Sequence, residues 1–266
     1  MFLKNFIRYF FGLFNYKIIR NRNTLIEEDF IEFFPPTRGY LFLNQSIYPR
    51  GLFRLVQGYF DMIHKLDKNF KINSDDVVID IGAHHGSFSC YASSLGARVI
   101  ALEPNEKNLY YLNQNKKLNN FVNLEIVNGA LVSSKTEQKS KYSRFDIGNT
   151  PTTGTLDIVP RDRSKSGKLI KVKNYSFEKL FELLPHNSYI LKMDLEGGEW
   201  EVLKELELLL SKNKIKCLIG EFHKTETNKP TDIIKLLDSL KIDFHCGIET
   251  DDRLELCAIP VNNNMD

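Results

Sequence analysis

The chain has 266 residues, a net charge of +2, 42% hydrophobic and 26% charged residues, which fits one α/β domain with an appendage or two small domains. That composition excludes collagenous, coiled-coil and wholly disordered chains. A pI near 8.2 is too mild for a protein that binds mainly by neutralising phosphates, so nucleic acid is not an expected partner.

The charge is uneven. Residues 1–26 hold Lys4, Arg8, Lys17, Arg20 and Arg22 with no acidic residue, which leaves the rest of the chain at −3. Leu3, Ile7, Phe10 and Phe14 share one stripe of a helical wheel, with Lys4, Arg8 and Asn15 on the polar side. This predicts a basic amphipathic helix within 1–20 that packs on the domain or lies in an anionic membrane interface. The uncharged stretch Tyr9 to Tyr16 is far short of the roughly 20 apolar residues a bilayer span needs, and no secretory pattern follows Arg8. Leu52, Leu55, Val56, Tyr59, Met62, Ile63 and Leu66 recur at helical spacing, so 1–70 reads as an N-terminal helical extension.

From residue 71 the pattern alternates. Val77 to Ile81 is a short apolar strand, a glycine loop follows, and 87–95 resumes helical spacing. Arg98 to Leu102 is the next strand, Asn105 caps a helix to about Leu118, and Val122 to Val127 is a third strand. Residues 133–170 are polar, basic and broken by Gly148, Pro151, Gly154, Pro160 and Gly167, and read as an insertion of short strands and mobile loop. Ser176 caps a short helix, Tyr189 to Asp194 is a strand, and a helix follows over about 198–210. Ile215 to Phe222 is a buried strand, Thr231 opens a helix, and 243–248 and 254–259 form a closing hairpin. The alternation defines a doubly wound, mostly parallel α/β sheet. Cys90, Cys217, Cys246 and Cys257 lack CxxC or metal-finger spacing and read as reduced structural thiols, as in a reducing cytoplasm.

In the loop Asp80-Ile81-Gly82-Ala83-His84-His85-Gly86, Gly82 permits a tight turn and Gly86 close packing or ligand approach. A dinucleotide fingerprint needs glycine where His84 stands, and Asp80 suits a cationic amino group better than pyrophosphate. Glu103, at the end of the second strand, can accept hydrogen bonds from both ribose hydroxyls. Asn128, Gly129 and Ala130 follow the third strand, where an amide and backbone N–H groups could meet adenine. Ribose, no phosphate and an amino acid point to S-adenosylmethionine.

The blocks VVIDIGAHHGSFS at 77–89, VIALEPNEKNLYYLNQN at 99–115, VNGA at 127–130, YILKMDLEGGEWEVL at 189–203 and CLIGEFH at 217–223 resemble the FkbM-type S-adenosylmethionine-dependent methyltransferases. LELCAIP at 254–260 resembles the last strand of that family, whereas 1–50 and 133–170 match nothing in it. His84 and His85 depart from its usual Asn-hydrophobic pair. The resemblance implies a class I, Rossmann-like seven-stranded sheet with its last strand antiparallel, and methylation of hydroxyl groups on sugars or secondary metabolites. The expected cofactor contacts are Asp80, Gly82, Ala83, His85, Gly86, Glu103, Pro104, Asn105, Asn128, Gly129, Ala130 and Asp194.

Ligands of such sheets bind at the carboxyl ends of strands, which gathers Asp80, Glu103, Asn128, Asp194, Glu196, Glu221 and His223. His223 is the first-choice general base, with Asp194 the second and Glu196 beside them. Asp194, Glu196 and Glu221 together could hold Mg²⁺, since hard oxygen ligands suit that ion. Glu199 reads as a helix-dipole partner or a partner of Lys192 or a neighbouring base. Arg161, Arg163, Lys165 and Lys168 in the insertion would suit an acidic saccharide or a phosphate-bearing acceptor. The competing readings are an NAD-dependent oxidoreductase, against which the missing glycine counts, and a membrane-associated scaffold with a vestigial cofactor fold.

Overall fold

The runs of Val, Ile and Leu at 77–81 and 189–194 lack the polar alternation of a half-exposed strand, and a strand of that kind is covered on both faces. The computed structural model describes residues 16–20, 29–33, 39–42, 58–59, 61–147, 154–157 and 168–260, the first three segments as backbone only. Strands β4 (Val77–Ile81), β5 (Arg98–Glu103), β6 (Leu124–Asn128), β11 (Tyr189–Asp194), β12 (Ile215–His223), β13 (Asp243–Glu249) and β14 (Arg253–Ile259) form one seven-stranded sheet in the order β13-β14-β12-β11-β4-β5-β6. β14 runs antiparallel between β12 and β13, and the remaining neighbours pair in parallel. This is the expected sheet, with the final hairpin formed by β13 and β14.

The sheet's two faces hold separate cores. Val78, Val99, Ala101, Ile190, Cys217 and Ile219 pack with Phe88 of α1 (Ser87–Ser94) and Leu112 of α2 (Glu106–Leu118). Ile79, Ile100, Leu191 and Leu218 on the other face pack with Leu206 of α5 (Leu203–Ser211) and Ile233 of α6 (Asp232–Ser239). Asn105 caps α2 by accepting the Lys107 N–H, and Ser176 caps α4 (Phe177–Leu183) by accepting the Lys179 N–H, as the sequence predicts.

The insertion and the residues that flank it form a second sheet of order β7-β10-β8-β9, from β7 (Ala130–Leu131), β8 (Tyr142–Asp146), β9 (Thr155–Leu156) and β10 (Leu169–Tyr175). The insertion also contains a helix the sequence reading did not expect, α3 (Ser134–Lys139), where the Ser133 hydroxyl accepts the Thr136 N–H. Residues 148–153 and the basic run at Arg161, Arg163 and Lys165 lie outside the described residues.

The N-terminal expectation needs correction. Tyr16–Arg20, Asp29–Phe33 and Gly39–Phe42 are strands β1, β2 and β3 of an antiparallel meander, so the extension is not wholly helical. Ile18, Ile19, Ile31, Phe30 and Phe33 are β-branched or aromatic, which favours extended backbone over the helical spacing. Residues 1–15 and 51–57 lie outside the described residues, while 61–66 are helical as expected. Among the described residues no helix is long and apolar enough to cross a membrane.

Candidate active site

The period of two along a strand decides which side chains reach the site. On the α1 face, Val78 is followed by Asp80, Ala101 by Glu103, Ile190 by Lys192 and Asp194, and Ile219 by Glu221 and His223. The same face that is apolar mid-sheet therefore turns charged at its carboxyl end. Register sets Lys192 opposite Asp80, Asp194 opposite Glu221 and His223 opposite Arg253. The strand order reverses between β4 and β11, and ligands bind at such a switch point. A cleft of about 430 Å³ opens there.

Its donor side is built from β4 and β5. Asp80 is fully buried; Oδ2 accepts the Ser89 hydroxyl at 2.5 Å, and Oδ1 has no hydrogen-bond partner. Lys192 Nζ stands 3.4 Å from Oδ1, donates to the Gly82 carbonyl at 3.0 Å and lies 3.9 Å from Asp194. Burial pulls the Lys192 pKa down, but Asp80 and Asp194 outweigh it and hold it above the usual lysine value. Glu103 accepts the backbone N–H of His84 at 2.8 Å and of Asn105 at 2.9 Å, and the Asn108 amide at 3.1 Å. Burial still pushes its carboxyl up. Gly82 has φ +75, and a Cβ there would collide with the Asp194 carbonyl, so the loops after β4 and β11 touch.

The other side is a carboxylate cluster around one imidazole. His223 Nδ1 lies 3.1 Å from Glu199 Oε1, and Nε2 lies 3.3 Å from Glu221 Oε1 and 3.8 Å from Glu196 Oε2. Glu199 Oε1 also accepts the Leu195 N–H at 2.8 Å, and Trp200 Nε1 anchors the His223 carbonyl at 2.6 Å. Arg253 donates to Glu221 at 3.0 Å. Burial raises Asp194 to about 6 and Glu196 to about 7. For Glu221 burial acts upward too, but His223 and Arg253 bring it below the usual value. His84 and Glu196 both hold left-handed backbone, φ 54 and 51, and such strain collects at functional sites.

Of the residues expected to touch a cofactor, Asp80, Gly82, Ala83, Glu103, Pro104, Asn105, Gly129, Ala130 and Asp194 line the cleft. His85, Gly86 and Asn128 do not. His85 turns inward, stacked on His84 at 4.0 Å and near Tyr111 at 4.7 Å, and burial lowers its pKa to about 4. Gly86 (φ +85) caps α1, where a Cβ would strike Leu112. Asn128 is exposed.

His223 does not fit the role of neutral base. Burial pulls its pKa down, but its bonds to Glu199 and Glu221 raise it to about 11, so it is an imidazolium at neutral pH, and it is not among the residues that line the cleft. The expected trio Asp194, Glu196 and Glu221 is also altered: Glu221 is engaged by Arg253, and the atoms that converge are those of Asp194, Glu196 and His223. The sequence reading missed His84, Asn108, Lys192, Arg253 and the insertion residues Phe145 and Leu156, all of which line the cleft. A signal existed for Lys192, a lone cation inside a buried strand two residues before Asp194.

A switch-point cleft with acids at the ends of adjacent parallel strands, on a seven-stranded sheet whose last strand is antiparallel, defines a class I methyltransferase. The model of the methyltransferase FkbM domain matches residues 80–247, and the chain belongs to that family. Among solved structures it is similar to the N-terminal domain of human METTL16, with 13% identity, 84% of this chain and 75% of that chain covered, and a TM-score of 0.48. It is also similar to the precorrin-6y C5,15-methyltransferase of Geobacter metallireducens GS-15, with 13% identity, 82% and 93% covered and a TM-score of 0.44. Fibrillarin of Aeropyrum pernix, solved with natively bound S-adenosyl-L-methionine, shows 9% identity, 91% and 98% covered and a TM-score of 0.44. No curated protein matches the sequence.

Proposed function

We propose that the protein transfers a methyl group from S-adenosylmethionine to a hydroxyl of a saccharide, glycan or related metabolite. The observation that carries the cofactor assignment is Asp80: a buried carboxylate on the cleft wall whose Oδ1 makes no hydrogen bond and has Lys192 only at 3.4 Å, which leaves lone-pair capacity there for the ammonium of the cofactor. Glu103, also on that wall, meets the ribose hydroxyls with its remaining lone-pair capacity. Leu131, Phe145 and Leu156 offer apolar surface to the adenine. The cofactor supplies an electrophilic methyl group on a sulfonium, and the chain's own contribution is alignment, worth about 7–11 kcal/mol.

Asp194 and Glu196 border the cleft and orient the acceptor hydroxyl by accepting its hydrogen bond, and a carboxylate of this pair takes the proton as the methyl group transfers. The acceptor assignment rests on the resemblance to hydroxyl-methylating members of the family and on oxygen-rich, carboxylate-lined surroundings suited to hydrogen-bonding a polyol.

The test is thermal unfolding with S-adenosylhomocysteine, against NAD as control. At a hundredfold excess over Kd, binding adds about 2.7 kcal/mol, a rise of about 5–10 °C in the midpoint. The shift is expected with the thioether alone and lost in Asp80→Ala; a flat response in a cooperatively melting protein overturns the reading. Incubation of the active protein with labelled cofactor and saccharide acceptors, read as methyl ethers after hydrolysis, then tests the acceptor.

A further inference from the structure

We propose that Asp194, Glu196 and His223 form a binding site for a divalent transition cation of the Mn²⁺ or Zn²⁺ kind. Each offers one ligand atom, and these atoms lie within 4.8 Å of one another. Ligands bound to one ion at about 2.1 Å stand roughly 3–3.5 Å apart, so the set closes by about 1 Å, within the reach of side-chain rotation. The side chains are 24%, 34% and 16% exposed, open to an entering ion yet largely shielded from bulk water.

The second observation is Glu199. Its side chain is wholly buried, Oε1 reaches into the cluster to His223 Nδ1, and Oε2 beside it has no hydrogen-bond partner. A buried carboxylate on Nδ1 fixes the ring so that Nε2 faces the other acids, the arrangement by which outer carboxylates orient a metal-binding histidine. Nε2 faces both Glu221 and Glu196, but one ring nitrogen presents one proton at most. Arg253 serves Glu221, whereas Glu196 Oε2 at 3.8 Å is beyond hydrogen-bond reach of the ring. A cation between Nε2, Glu196 and Asp194 takes the place of the Nε2 proton of the imidazolium, which is released as the ion binds, and meets both carboxylates.

The donor set selects the ion. Two carboxylates and one imidazole favour a borderline transition ion over Mg²⁺, which prefers oxygen ligands alone. Three protein ligands leave coordination positions open to an acceptor oxygen. That role in catalysis rests on the methyl-transfer reading above; ion binding itself does not.

The full chain, freed of metal by a chelator, is titrated with Mn²⁺ while the paramagnetic resonance signal of free Mn²⁺ is followed, with Zn²⁺ and Mg²⁺ as competitors. The expected result is one Mn²⁺ per chain, displaced by Zn²⁺ at equal concentration and not by Mg²⁺. His223→Gln and Glu196→Gln each weaken binding at least tenfold, and Glu199→Gln weakens it by about 10–100-fold. Melting with S-adenosylhomocysteine is run on every variant, so that a folding failure is visible and Glu196→Gln carries the test if His223→Gln does not fold. No stoichiometric binding, binding that survives both ligand substitutions, or equal competition by Mg²⁺ overturns the site. Mn²⁺ binding that depends on His223 and Glu196 upholds it even if the thioether fails to shift the melting point, an outcome that removes only the cofactor reading.

Discussion

The seven-stranded and four-stranded sheets are built on opposite principles. In the seven-stranded sheet, β4 and β11 are buried along almost their whole length, and charge appears only where the strands end. In the four-stranded sheet, β10 alternates buried and exposed residues, with Lys171 and Lys173 open to water and Val172 and Asn174 inside. The central strands of the first have no exposed face on which to place polar groups, so the ionic groups of the site gather at their carboxyl ends and are forced into mutual contact. The second spreads its charges over a solvated face, where each acts nearly alone. The comparison teaches that the buried sheet concentrates charges where they interact strongly, while the open sheet supplies the wall, with Phe145 and Leu156, and few strong interactions.

The sharpest break of that comparison is Lys192→Met. It leaves Asp80 buried without its cation, and a loss of about 3–5 kcal/mol is expected in urea unfolding; adding Asp80→Asn should recover part of it. Gly82→Ala comes next, at about 2–4 kcal/mol, since its Cβ meets backbone and its φ is positive. Gly154→Ala beside the open sheet meets the Phe145 ring, which can shift, and comes 3.3 Å from the Asp146 carbonyl, and about 1 kcal/mol is expected. His85 gives a pH signature. Its folded pKa, about 4, lies below the usual 6.5, so its contribution is complete above about pH 6.5 and is lost as pH falls towards 4. The difference in stability between wild type and His85→Asn, measured by urea unfolding across that window, should change by up to about 3 kcal/mol. Asn105→Ala removes a cap and should lower the unfolding free energy by about 1 kcal/mol. Arg144→Ala breaks an ion pair with Asp157, but the arginine is 69% exposed and the expected change stays within about 0.5 kcal/mol. A large loss at Arg144 would contradict the contrast between the sheets.

The same contrast explains what the sequence could reveal. Strands buried on both faces write themselves as unbroken apolar runs, and their acids stand at the ends, so β4, β5, β11 and β12 and the residues Asp80, Glu103, Asp194 and Glu221 were legible. Caps at Asn105 and Ser176 were legible because they act locally. The N-terminal strands and α3 were not, since short half-exposed elements have weak periodicity. The protonation of His223 was not legible either. It depends on Glu199, 24 residues away in sequence, and that proximity exists only once β12 lies against β11. Arg253 was missed because its partner Glu221 sits 32 residues earlier and the register of an antiparallel last strand decides the meeting.

That last strand also orders events in time. β14 sits between β12 and β13, and its first residue, Arg253, is the cation that neutralises Glu221. A chain still being synthesised can assemble β4, β5, β6 and β11 before β14 has left the ribosome, but β12 then keeps an unpaired edge and Glu221 lacks its arginine. The cofactor wall can therefore form on a nascent chain while the acidic cluster waits for residues 253–259. A chain truncated before residue 253 would hold half a site on a sheet with an open edge.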